Sequence, residues 1–172
     1  MNAFHNYHEL ALEQLSIMYR SEHQYKTYLQ IYSHKASSPL LKHLLFDLKQ
    51  STNYKLHYHH QLIDSLHYQA SQSATEGLNG IYKEAHQLLD RSRSPEMTDA
   101  ILLHTLFLST HYTYSHYHIL LLYFNSLSWT KESSYTRKMI AAEESILNQI
   151  NALIKDNFNK AALAPELDAA LV

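Results

Sequence analysis

Two glycines and three prolines in 172 residues leave this chain almost no means of building β-hairpins. Hairpins need glycine, asparagine or proline at short intervals, because their turns require positive φ or a fixed φ. Long helices need such residues only at their ends. Here the punctuation is confined to ASSPL (36–40), ASQSATEGLNG (70–80), SRSPEMT (92–98) and SLSWTKESS (126–134). Between these stretches the spacing predicts four long helices, over roughly 3–34, 39–70, 97–127 and 132–157, with a shorter one over roughly 79–91. Pro39 and Pro95 each follow a serine, a helix-starting context, and Thr98 precedes an apolar-periodic run as a candidate N-cap. The expected fold is all-α: an antiparallel four-helix bundle with an extra short helix between helices two and three. Residues 1–160 form one domain in this reading, and 161–172, ending in APELDAALV, form a flexible tail.

Composition excludes several function classes. Apolar residues make up 45% and charged residues 17%, the balance of a globular chain. A formal charge of −2 supplies neither a basic field for nucleic acid nor a polybasic patch for anionic lipid. There is no cysteine, which removes disulfides, thiolate metal sites and cysteine nucleophiles. The N-terminus, MNAFHNYHELALEQL, lacks the cationic start and apolar run of a signal peptide, and no run reaches the length of a membrane span. A cytoplasmic protein without nucleic-acid or membrane partners is expected. Neither a glycine-rich phosphate loop, nor a hydrolase triad, nor an S-x-x-K box is present, so no catalytic residue and no small-molecule substrate is assigned.

The helices can be read for their inward stripes at alternating spacings of three and four. The first gives Leu15, Met18, Glu22, Tyr25, Leu29 and Tyr32. The second gives Leu41, Leu45, Leu48, Thr52, Lys55, His59, Leu62 and Leu66, with Ser51 one step aside. The third gives Leu103, Leu106, Thr110, Thr113 or Tyr114, Tyr117, Leu121 and Phe124. The last gives Ile140, Glu144, Leu147, Asn151 and Ile154. Each stripe is polar near its midpoint and apolar on either side, and in an antiparallel bundle the midpoints meet at one level. Buried charges are costly alone, so these groups form either a register-fixing polar layer or a metal or catalytic centre.

Five segments, in order and at matching separations, resemble the YciE/YciF family of ferritin-like proteins over roughly residues 15–160. Tyr19-Arg-Ser-Glu22-His-Gln24 is similar to the family's Y-x-A-E-x-Q. Ser51-Thr52-Asn53-Tyr54-Lys55 falls on its E-T-x-x-H/Q, and Gly80-Ile81-Tyr82-Lys83-Glu84 on its G-L-I-x-E. Asp99-Ala100-Ile101-Leu102, followed by Thr110-His111-Tyr112-Thr113 and Tyr117, resembles D-A-A-L, then E-H-Y-E and a later tyrosine. Ala142-Glu143-Glu144-Ser145-Ile146-Leu147-Asn148 resembles D-E-E-x-x-T-D. The resemblance implies a bundle that can hold two metal ions on carboxylate and imidazole ligands. Glu22 and Glu144 are retained at ligand positions. Ser51, Lys55, Thr110, Thr113 and Asn148 replace other ligands, so the centre is expected to be degenerate. The expected arrangement has the Lys55 ammonium between Glu22 and Glu144, with Thr110, Thr113, Ser51 and Asn148 completing the hydrogen bonds.

Fourteen histidines invite a separate metal reading. His59 faces inward while His57 and His60 flank it. His104 and His111 are about 10 Å apart by helical rise, and His116 and His118 diverge. His111 directly follows a ligand position and is the one retained as a candidate. Fourteen tyrosines fit core edges and protein contacts, and a homodimer is expected. Two functions follow. The first is a non-catalytic, self-associating ferritin-like protein with no cofactor, its metal centre lost, with a stress-related role. The alternative binds iron or manganese through Glu22, Glu144, His111 and either Glu84 or Glu143, with oxidative or storage chemistry implied only by fold analogy.

Overall fold

The structure, a computed structural model, describes residues 4–70 and 75–163. Its five helices are α1 (Tyr7–Lys35), α2 (Pro39–Ser65), α3 (Glu76–Leu89), α4 (Pro95–Ser126) and α5 (Thr130–Leu163); no strand occurs among the described residues. Asn6 starts α1 by accepting from the Glu9 amide at 2.9 Å, and the Glu9 carboxylate accepts in return from the His5 amide. Ser38 and Ser94 cap α2 and α4, and Pro39 and Pro95 take the first helical turn. The proline lacks an N–H where none is needed. Thr98 therefore lies inside α4, not at its cap, and its hydroxyl donates to the Ser94 carbonyl. Helix α2 stops at Ser65, short of the expected 70, because His67 takes a left-handed φ of 50°, a position glycine usually fills. Helix α5 continues to Leu163, past the expected end at 157. Residues 1–3 and most of the expected tail, 164–172, lie outside the described residues.

Helix α1 neighbours α2 and α4, and α5 neighbours the same two, which places α1 opposite α5 and α2 opposite α4. Leu15 and Met18 share a cluster with Leu62, Leu120, Phe124 and Met139, whereas Leu29 shares one with Leu41, Leu102 and Ile150. Sequence neighbours along α1 thus meet the late residues of α2 and α4 at one end and the early residues at the other. Adjacent helices are antiparallel, and α2 and α4 run the same way. That direction requires the long connection carrying α3, which packs on α4 and α1. Gly77 is needed there: a Cβ would stand 2.7 Å from the Tyr112 ring.

Asp99, the first inward residue of α4, anchors the α1–α2 connection. Its carboxylate accepts from the Ser37 and Ser38 amides, both at 2.8 Å, and from the Ser37 hydroxyl. This satisfies amide donors that the start of α2 leaves free. The two apolar clusters lie on opposite sides of a polar level. Each fully buried leucine in them contributes about 2 kcal/mol through removal of apolar surface from water.

Candidate functional site

The polar level draws its side chains from the four long helices. Lys55 of α2 is 1% exposed and extends into the centre, its Nζ 2.9 Å from Glu22 Oε1 of α1. The same nitrogen donates to Glu143 Oε1 of α5. Lys55 thus joins the diagonal helices α1 and α5. The Tyr117 hydroxyl of α4 donates to Glu22 Oε1 at 2.7 Å. A phenol has one proton to give, so His59 must donate to the Tyr117 oxygen from Nε2, at 2.9 Å. That assigns the Nε2–H tautomer and leaves His59 Nδ1 as an acceptor. The His59 and Tyr117 rings stack at an interplanar angle of 6°. The Tyr25 and Tyr117 ring centroids lie 5.8 and 5.9 Å from Lys55 Nζ, within cation–π range.

Electrostatics follow from burial and these contacts. Desolvation alone would drive Lys55 toward neutrality, but Glu143 and Glu22 more than offset it and hold its pKa above the ordinary lysine value. Glu143 is pushed up, first by burial, then by Glu22 working against the lowering effect of Lys55. His59 falls to about 3, from burial and then the nearby Lys55 charge, so it is neutral at physiological pH. Burial pushes the Tyr117 phenol well up, with Glu22 and Glu143 adding to it.

Several expected residues converge, and others do not. Glu22, Lys55, Thr110, Thr113, Tyr117 and His59 are all buried at the level. Thr110 shares a 3.1 Å hydrogen bond with the Tyr25 hydroxyl, and Thr113 donates to the Thr110 carbonyl. Glu144 does not face Lys55. It is exposed on α5 and accepts from the Tyr114 hydroxyl at 2.9 Å; the expected ion pair is made by Glu143, one residue earlier. The inward stripe of α5 accordingly runs Thr136, Met139, Glu143, Ile146 and Ile150, with Asn148 and Asn151 outside. Asn148 therefore completes no hydrogen bond at Lys55. Ser51 is half-buried, and Thr52, its neighbour, is the fully buried residue. His111 is exposed and packs edge-on against Phe107. Glu84 is exposed on α3. Leu120 replaces Leu121 in the α4 core.

The sequence held the signal for Glu143. Its neighbours three and four residues away, Met139, Ile140, Ile146 and Leu147, are all apolar and Ile150 follows at seven, whereas Glu144 has Asn148 and Asn151 on its side as well as Ile140 and Leu147.

Metal coordination at this level is disfavoured by the donor set. Two carboxylates remain, the imidazole is turned into a tyrosine hydrogen bond, and an ammonium stands between the acids. Among the described residues no group of three histidine, aspartate or glutamate side chains is placed to hold an ion. Di-metal sites of ferritin-like bundles use four glutamates and two histidines, so these residues do not fit a metal pair.

The helix directions, the single long connection and the polar level at mid-height define a ferritin-like four-helix bundle. Residues 6–163 match the family described as "Domain of unknown function (DUF892)", and the chain belongs to that family. The E. coli stress protein YciF has a similar fold, with a TM-score of 0.85 and 18% sequence identity over 91% of this chain and 99% of that one. YcfI from Rhodopseudomonas palustris is similar at a TM-score of 0.81 and 18% identity, covering 86% and 94% of the two chains. Comparison with curated proteins gives no match.

Proposed function

We propose that this is a non-catalytic, self-associating scaffold of the YciF type, in which an internal amine has replaced the metal pair of the ferritin-like centre. The observation that carries the reading is Lys55 Nζ in contact with both Glu22 and Glu143, each fully enclosed. A divalent ion entering this space would meet a fixed positive charge, and only two acids remain to bind it. Homodimer formation is supported by α4, whose outer face carries no charge beyond its first turn: from Ala100 to Thr130 there is no Asp, Glu, Lys or Arg. On that face Ile119 and Leu122 are 41% and 60% exposed. A stress-related role is suggested by the likeness to the E. coli stress protein alone.

Elemental analysis of protein purified without chelators and then soaked with iron(II) or manganese(II) tests the reading. The expected result is no stoichiometric metal in the natural sequence and a gain in Lys55→His. Tight stoichiometric binding by the natural sequence overturns it. Light scattering checks the dimer, and a monomer at all accessible concentrations removes self-association.

A further inference from the structure

The polar level brings together more than an ion pair requires. One amine contacts two carboxyl groups, and all three side chains are sealed from solvent. Two tyrosine rings flank the nitrogen. Glu22 Oε2, Glu143 Oε2, Thr52 Oγ1 and His59 Nδ1 are buried without hydrogen-bond partners.

In water an amine and a carboxylic acid do not condense, because the first is protonated, the second is ionised, and solvent drives the equilibrium toward hydrolysis. Burial excludes the solvent, and proton exchange among the three groups supplies the neutral forms. An ammonium and two carboxylates sum to one negative charge, and a low-dielectric site favours taking up one proton to cancel it. Passing the ammonium proton to the remaining carboxylate then gives a neutral amine beside a neutral acid, with no net charge created. A nitrogen in hydrogen-bond contact with a carboxyl oxygen lies roughly 3.5 Å from the carboxyl carbon, the edge of the near-attack range.

We propose that Lys55 and Glu143 form an intramolecular isopeptide bond, with Glu22 as the proton-transferring partner. The roles follow from the contacts. The Tyr117 hydroxyl donates to Glu22 Oε1, which leaves the buried Oε2 without a partner and open to take and return a proton. Glu143 is then the acid that acylates the amine. Glu22 takes the ammonium proton; the freed Lys55 Nζ attacks Glu143 Cδ, and Glu22 delivers that proton to the departing hydroxyl and takes the second proton from the nitrogen. The C–N bond forms, the C–O bond breaks, and one water leaves, with no oxidant or reductant required. Thr52 and His59, one turn to either side of Lys55 along α2, offer the released water an oxygen and a ring nitrogen that nothing else engages. The product covalently joins α2 to α5.

This inference rests on the reading that Lys55 occupies the space between the acids, and the test separates the two. Intact-mass spectrometry of the denatured full chain is expected to show a mass one water below the sequence value. Peptide mapping is expected to recover a branched peptide joining Lys55 to Glu143. Glu22→Gln, with its helicity confirmed by circular dichroism, is expected to show the full mass. A natural chain at full mass, or a lost water mapped elsewhere, overturns the isopeptide bond; full mass in a metal-free chain does so while leaving the ion-pair reading intact. A crosslink persisting in Glu22→Gln overturns the role given to Glu22.

Discussion

The bundle's ends and its middle are held by different physics. At the ends, leucine, isoleucine and phenylalanine fill space, and no single contact dictates alignment. At the middle, Lys55, Glu22, Glu143, Tyr117 and His59 form directional contacts in a fully enclosed level. An end residue can be shortened at the cost of its own buried area and the cavity left behind. Removing a middle residue strands its partners, so the penalty falls on groups that were never altered.

The largest test of that contrast is Lys55→Met. It leaves two enclosed acids facing each other, and urea unfolding is expected to show a loss of about 4 kcal/mol, the middle of the range for breaking a buried charge pair. The triple change Lys55→Met, Glu22→Leu and Glu143→Leu is expected to recover most of it, since a well-packed apolar replacement is often neutral. If Lys55→Met proves as stable as the natural chain, the middle is no different from the ends. Leu45→Ala, in the end near the α1–α2 connection, is expected to cost about 3 kcal/mol. Unlike the middle, no second substitution of a polar partner should rescue it.

Acid provides a third test. The folded His59 pKa, about 3, lies below the ordinary 6.5, so the unfolded chain binds the proton more readily. The associated stability is fully present above about 6.5 and is lost as pH falls toward 3. Between pH 7 and pH 4.5 this amounts to roughly 3 kcal/mol, at 1.36 kcal/mol per unit. His59→Gln is expected to flatten that part of the stability profile, and an unchanged slope would place the acid sensitivity elsewhere. The smallest expected effect is at the periphery. Asp99→Ala should cost about 1.5 kcal/mol through lost capping of the α1–α2 connection, read as a lower melting temperature.

Much of this architecture was legible in advance, and the errors have physical causes. Scarce glycine and serine–proline pairs located the helices within a few residues. The end of α2 was missed because a histidine, not a glycine, adopts the left-handed turn at 67. Three of the four midpoint stripes placed their polar residues correctly, including Lys55 and His59. The fourth slipped by one, because adjacent glutamates at 143 and 144 both fit a spacing of three or four from Ile140. The tie is broken further along the helix, where Ile146 and Ile150 continue the Glu143 face and Asn148 and Asn151 lie on that of Glu144. The hydrogen bond of Tyr117 to Glu22 was not legible, since stripes assign faces and not partners.

Because Lys55 comes early and Glu143 late, the central contact joins segments made at different moments of synthesis. A nascent chain that has emerged only through α4 can offer Lys55 just Glu22, and its charge stays half-compensated until α5 arrives. Helix α5 is thus the closing piece, and chains cut short before it should be recognised by proteases as unfinished.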